Sequence, residues 1–211
     1  MIFRASGSHL GDTIWFVSHI MDYAKTNPIV EPVLIHELDT QGKSIKDNLT
    51  DVMQVVDFPY RWQFVTVAGD YKQFNDFKVW DRIQPVPIMK YQPDIILYQF
   101  DGVSSPEKNP TDAEFGTIMT GLNSICPSVM PVGKPLSLHE STEWLMRGKL
   151  FLGSDSGMAN LCACVGKPMI IFTPDRWKYS VFRVGYPSNC IATPNTPEKL
   201  IADVKEFMKG K

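Results

Sequence analysis

Leu150-Phe151-Leu152-Gly153-Ser154-Asp155-Ser156-Gly157-Met158-Ala159-Asn160-Leu161-Cys162-Ala163-Cys164-Val165-Gly166-Lys167-Pro168-Met169-Ile170-Ile171-Phe172 is the stretch whose reading decides the fold. It opens on a short apolar run that stops at Gly153, the pattern of a buried strand. A turn follows at Ser154-Asp155-Ser156-Gly157. Met158, Leu161, Cys162 and Val165 then recur at three- and four-residue intervals, which predicts a helix capped by Gly166. Lys167-Pro168 leads into a second apolar run over 169–172. Strand, helix and strand in that order need a crossover connection, which implies a parallel sheet with helices on its faces.

Outward from this unit the alternation continues. Residues 94–98 read as a strand that runs into a polar loop, 101–110, containing Gly102, Ser104, Ser105 and Lys108. Thr111 and Glu114 form a capping box, and Phe115, Ile118, Met119 and Leu122 give the stripe of a helix that buries one side. A strand is predicted over 128–132. Ser137 and Glu140 cap a further helix carrying Leu138, Leu145 and Met146, with Gly148 at its end. Downstream, 189–192 reads as a strand, and the last helix starts at Thr196 with Pro197 in its first turn.

The first half starts the same way. Ile2-Phe3-Arg4-Ala5 is a strand ended by Ser6-Gly7-Ser8, and Ile14, Val17, Ile20, Met21 and Ala24 mark a helix that Asn27-Pro28 stops. A strand over 32–35 follows. Ile45, Leu49, Val52, Met53 and Val56 predict a second helix with Ser44 as its N-cap, and 64–67 a third strand. The stretch 71–91 is rich in aromatics and proline and has no clean period. Gln84-Pro85-Val86-Pro87 reads as a connector. The expected architecture is α/β, with two Rossmann-like parallel-sheet halves over 1–88 and 89–211.

Composition excludes several classes. With 44% hydrophobic and 21% charged residues, the chain has the makings of a core. Twenty-one Lys and Arg against 23 Asp and Glu leave a formal charge of -2, so no global basic field draws it to a phosphate backbone. No apolar run reaches the about 20 residues that span a bilayer, and the first eleven residues lack a signal-peptide layout. A cytoplasmic location is expected. The four cysteines, 126, 162, 164 and 190, have neither disulfide-scaffold density nor metal-type spacing and are read as reduced. Nothing in the sequence selects an oligomeric state.

Two polar loops lead into helices, at 6–12 and at 154–157. Unpaired backbone N–H groups and the helix dipole make such loops suited to phosphate, while the same residues also serve as N-caps: Ser8 or Asp12 in one, Asp155 or Ser156 in the other. Spacing alone does not choose. Dinucleotide binding is disfavoured, because Ser6-Gly7-Ser8-His9-Leu10-Gly11 lacks the middle glycine of the G-x-G-x-x-G turn.

Taken with their surroundings, the two loops resemble those of the family 9 glycosyltransferases, the heptosyltransferase group of the two-domain GT-B fold, in which two halves face a cleft. The family's Ser-x-x-Gly-Asp loop stands here as Ser8-His9-Leu10-Gly11-Asp12-Thr13-Ile14. Its second signature, an Asp-Ser-Gly turn, a helix and a Gly-Lys-Pro before an apolar strand, stands as Asp155-Ser156-Gly157 and Gly166-Lys167-Pro168. The resemblance implies an inverting, metal-independent transfer, without cofactor, from a nucleotide-sugar donor. It implies Asp12 as the base that takes the acceptor proton, and Asp155, Ser156, Gly157 and the position of Asn160 as donor-binding. Lys108 matches the basic residue that offsets charge on the leaving diphosphate.

Asn160 replaces the family's usual His, and the chain is shorter than typical members. His9, Gly11 and Thr13 beside Asp12 are candidates for nucleotide or acceptor contact. So are Arg176 and Trp177, which follow the strand 169–172 where open α/β sheets bind ligands. The acceptor is expected to be a glycan, or a modified base of phage-type DNA. A nucleotide-sugar epimerase and a non-catalytic nucleotide-sugar-binding module are the alternatives.

Overall fold

Phe151, Leu152, Ile170, Ile171 and Phe172 are each at most 1% exposed. Successive strand residues point to opposite faces, so burial of a whole run means that both faces of the sheet are covered, as parallel sheets require. The computed structural model describes residues 1–56, 58–66, 71–73, 94–102, 105–178 and 189–210. Within them the chain divides into two units, Met1–Pro87 and Ile88–Lys211. The predicted connector at residues 84–87 lies outside the described residues.

The first unit contains β1 (Ile2–Arg4), α1 (Leu10–Thr26), β2 (Val33–His36), α2 (Lys46–Val55), β3 (Trp62–Val65) and β4 (Tyr71–Gln73). Its strands are parallel in the order β3-β2-β1-β4. Helices α1 and α2 pack against each other. Ile14, Phe16, Val17 and Ile20 from the first and Leu49, Val52 and Met53 from the second are buried, at 4% exposure or less, with Phe3 and Ile35 of the sheet. Two expectations shift here. The N-cap of α2 is Ile45; Ser44 lies one residue earlier, in an antiparallel bridge with Leu38, and its Oγ accepts from Lys46 N–H at 3.4 Å. Strand β3 starts at Trp62, and β4 joins the sheet edge from a stretch without periodicity.

The second unit contains β5 (Ile95–Gln99), a 3₁₀ turn (Pro106–Lys108), α3 (Asp112–Ile125), β6 (Ser128–Pro131), α4 (Leu138–Arg147) and β7 (Leu150–Ser154). These are followed by α5 (Gly157–Cys164), β8 (Met169–Phe172), β9 (Cys190–Ala192) and α6 (Pro197–Lys209). Its five strands are parallel in the order β6-β5-β7-β8-β9. Both capping boxes are present: Thr111 Oγ1 accepts from Glu114 N–H at 3.3 Å and Ser137 Oγ from Glu140 N–H at 3.2 Å. Strand β5 begins one residue later than expected, since Asp94 has φ +69°, a left-handed conformation that Asp tolerates and a strand does not.

Helices α3 and α6 pack together over one face, burying Ile118, Leu122, Leu200 and Val204 against Ile96, Leu152 and Ile170. The right-handed crossover rule puts α4 and α5 on the other. Among the described residues no helix is long and apolar enough to cross a membrane. Leu152 lies at 0% exposure in this core, so Leu152→Ala is expected to lower unfolding free energy by about 2–5 kcal/mol in denaturant titration.

Candidate functional site

Strand β5 has β6 on one side and β7 on the other. The chain leaves β5 for β6 in one direction and reaches β7 in the other, so the loops after β5 and β7 part and leave a crevice at the strands' carboxyl ends. The loop after β5 carries Lys108; the loop after β7 carries Asp155 and Ser156. Ser156 caps α5, accepting from Ala159 N–H at 3.3 Å, and its hydroxyl donates to Gln99 Oε1 at 2.7 Å, which ties one loop to the last residue of β5. The backbone N–H groups at the start of α5 therefore face this crevice.

Lys108 is 6% exposed. Burial pulls its pKa down from the ordinary lysine value, and the neighbouring Asp155 carboxylate works in the opposite direction. Gly102 explains how the side chain fits: a Cβ there would collide with Lys108 Cε and lie 3.2 Å from Asn109 Oδ1. Asn109 locks the same loop, its Oδ1 accepting from Gly102 N–H and its Nδ2 donating to Gly102 C=O, both at 2.9 Å. Trp177 Nε1 donates to Asp155 Oδ2 at 3.3 Å. Beside this cluster opens a pocket of about 390 Å³ that shares Gln99 and Asn109 with it, with Tyr98, Phe100 and Phe115 among its walls and Lys134 at its rim. Its volume lies in the range of small-ligand sites.

In the first unit the strand order reverses beside β1, and the loop after β1 enters α1. His9 is the N-cap, and its backbone N–H donates to Asp12 Oδ2 at 3.1 Å. The carboxylate lies over Gly7, where a Cβ would meet it. Burial raises the Asp12 pKa, the His9 N–H partly offsets this, and the nearby Asp39 charge adds to the rise. The loop is braced by Thr40 Oγ1, from the chain after β2, donating to Ser6 C=O at 2.8 Å and by Asn48 Nδ2 of α2 donating to Ser8 C=O at 2.8 Å. Among the described residues no three His, Cys, Asp or Glu side chains gather in a metal-holding group.

Known structures share this pair of parallel sheets. E. coli ADP-heptose LPS heptosyltransferase II superposes with a TM-score of 0.59 at 8% identity, covering 99% of this chain and 98% of that one. E. coli heptosyltransferase WaaC with ADP gives 0.54 at 11%, covering 99% of each. The dodecameric iron-containing heptosyltransferase TibC, in complex with ADP-D-beta-D-heptose, gives 0.54 at 14%, covering 92% of this chain. The fold is that of the GT-B heptosyltransferases. The chain spans 60% of that TibC structure's length and 62% of TibC from enterotoxigenic E. coli H10407. No family model and no curated protein matches the sequence.

Of the residues singled out from sequence, Lys108, Asp155, Ser156, Gly157 and Trp177 come together at the second unit's crevice. His9, Gly11 and Asp12 share the first turn of α1, with His9 exposed. Three others bond within the protein. Thr13 is fully buried and its hydroxyl donates to Leu10 C=O at 2.9 Å, so it presents nothing to a ligand. Asn160 is 4% exposed and its amide turns back along the helix to Ser156 C=O at 3.1 Å, which makes it a brace of the turn.

Arg176 is the third: its guanidinium grips both Glu114 oxygens, at 2.9 and 2.6 Å, and the carbonyls of Glu107 and Asn109. Gln99, Gly102 and Asn109 join the site without having been foreseeable from sequence, where only the Gly and Asn types in a polar loop hint at them. The Arg176 fork holds the Glu114 carboxyl down from its ordinary 4.5 to about 2. A depressed acid pKa adds stability above the ordinary value that is lost as pH falls through the folded value. The melting-temperature gap between wild type and Glu114→Gln should therefore be full above pH 4.5 and close as pH approaches about 2, and modest throughout because the pair meets solvent.

Proposed function

We propose that the protein transfers a sugar from a nucleoside-diphosphate sugar to an acceptor hydroxyl. The observation that carries the reading is the convergence, at one topological switch point, of a buried lysine, a capped helix N-terminus and the Asp155 carboxylate. An anionic group suits such a set: Lys108 carries a charge that burial penalises, and the first-turn N–H groups of α5 add a second source of positive potential. A diphosphate meets both. Asp155 then suits sugar hydroxyls, and the aromatic pocket beside it suits the nucleoside. The neighbouring structures hold ADP and an ADP-heptose, so ADP-linked sugars lead the donor set to be tried.

In the proposed reaction the acceptor oxygen forms a bond to the anomeric carbon as the bond from that carbon to the diphosphate oxygen breaks. The electron pair of the broken bond leaves with the nucleoside diphosphate, where Lys108 and the α5 N-terminus offset the added charge. Attack from the face opposite the leaving group inverts the anomeric centre. The acceptor proton passes to Asp12, whose desolvated carboxylate is a stronger base than a carboxylate in water. Lys108 supplies the cationic stabilisation in this scheme, which is why we propose it proceeds without a metal.

Two variants test the assignments. Lys108→Met is expected to weaken nucleoside-diphosphate binding by about tenfold or more, the size of a lost charge-assisted hydrogen bond. It should raise the melting temperature at pH 7 as well, because the lowered pKa marks the charged form as costly in the folded state. Titration calorimetry and thermal unfolding read the two effects; unchanged affinity would remove Lys108 from the donor site. Asp12→Asn should cut transfer by about 10²- to 10⁴-fold with donor affinity kept. Its stability at neutral pH should not fall, since an acid whose folded pKa is raised loses stability as pH climbs through that value. Product assays on the purified variant decide; retained turnover would exclude Asp12 as base.

A further inference from the structure

The contacts of Arg176 point at its neighbours in space more than at itself. Nε donates to the Glu107 carbonyl at 3.0 Å and Nη2 to the Asn109 carbonyl, so the guanidinium holds the backbone on both sides of Lys108. The other side of the fork is anchored on Glu114, whose second role is to cap α3 by accepting from Thr111 N–H at 2.7 Å. The adjacent residue, Trp177, holds Asp155. Two consecutive residues of the β8 loop thus fix the two charged groups that flank the crevice, one through side chain and one through backbone.

We infer that Arg176 is a positioning residue for the diphosphate subsite: it sets the Pro106–Lys108 turn so that the Lys108 ammonium stays in the crevice facing Asp155. The inference rests on the donor reading above and names a residue that acts through another. A 3₁₀ turn has poorer hydrogen-bond geometry than an α-helix, so the Pro106–Lys108 turn gains from contacts beyond its own. Without the fork, a long flexible lysine gains by turning its ammonium to water, because burial disfavours its charged form. Asn109 and Gly102 shape the space that receives the side chain, and Arg176 keeps the chain on either side of it from drifting. Lysine is not a substitute at 176, since it lacks the planar set of donors that reaches a carboxylate and two carbonyls at once.

A double-mutant cycle tests this. Affinity for ADP, UDP, GDP and CDP is measured by calorimetry for wild type, Arg176→Ala, Lys108→Met and the double variant, with thermal unfolding alongside. Arg176→Ala is expected to weaken the tightest of these ligands about tenfold in the wild-type background and less than about twofold when Lys108 is already replaced, the non-additivity of residues that act as one unit. Arg176→Lys should behave like the alanine variant. Equal losses in both backgrounds, or no loss, overturn the positioning role even if the protein binds nucleotide.

A second measurement needs no ligand. Reductive methylation followed by mass spectrometry reads the access of Lys108, which should be slow in wild type and several-fold faster in Arg176→Ala and Arg176→Lys. Unchanged Lys108 reactivity overturns the inference. Absence of nucleotide binding by wild type, with faster methylation in the variants, sinks the donor reading and leaves the mechanical link standing.

Discussion

The reversal of strand order beside β5 is the constraint on which the second unit's chemistry depends. In a parallel sheet every strand ends at the same edge, and the connections normally leave that edge in one direction. Where order reverses, two loops part, and the polar ends of two strands and a helix are left facing each other instead of being packed over. Gln99 and Ser156 show how close that opening is held. One ends β5, the other caps α5, and a 2.7 Å hydrogen bond joins them across the gap. The crevice is therefore a consequence of topology, and the side chains that enter it are what give it a chemical character.

Those side chains are held at a cost to the fold. Lys108 is almost fully covered, and its pKa is depressed chiefly by the loss of water. The sheet behind it, with Phe151, Leu152, Ile170 and Phe172 buried between two helix layers, supplies the stability that allows a desolvated cation at its rim. This is the usual division of labour in an α/β site: apolar strand interiors tolerate strained polar ends. The Arg176 and Glu114 pair follows the same division. It lies partly in solvent and adds little to global stability, yet it fixes a loop whose shape decides where a charge sits.

Much of this is legible in the sequence because it is local. The capping boxes at Thr111 and Ser137 lie within four residues of the helices they start, and the runs at 150–152 and 169–172 are strands by their own composition. The Asp155-Ser156-Gly157 turn announces itself by the strand before it and the stripe after it. What stays hidden is nonlocal. Strand β4 is three residues, Tyr71-Lys72-Gln73, at a sheet edge, and its pairing with β1 is set by backbone register that no periodicity marks. Arg176 reads as a ligand contact because a basic residue after a strand end suits phosphate. Its actual partner, Glu114, is 62 residues away in the chain, and nothing in either neighbourhood signals the pairing. Thr13 and Asn160 are ambiguous for another reason: in a helix's first turns a short polar side chain serves a ligand or its own backbone equally well, and in this structure both bond to the backbone.

The two units solve one packing problem twice. In each, a charged side chain that follows the switch-point strand lies over a glycine whose Cβ would meet it: Asp12, in the first turn of α1, over Gly7, and Lys108, in the loop after β5, over Gly102. Folding a charged group over bare backbone shields it from water without surrounding it with apolar side chains. Both groups lose water in this arrangement, and the Lys108 side chain is almost fully covered. The two shifts run in opposite directions, the acid raised and the base lowered, yet they mean the same thing, that both groups are displaced toward neutrality and both respond to a new polar partner. A carboxylate so placed is a better proton acceptor, and an ammonium so placed gains more from an anion than it would in water. A larger residue at Gly7 or Gly102 would push the charge outward into solvent and relax its pKa. The glycines are thus as much part of the chemistry as the charges they carry.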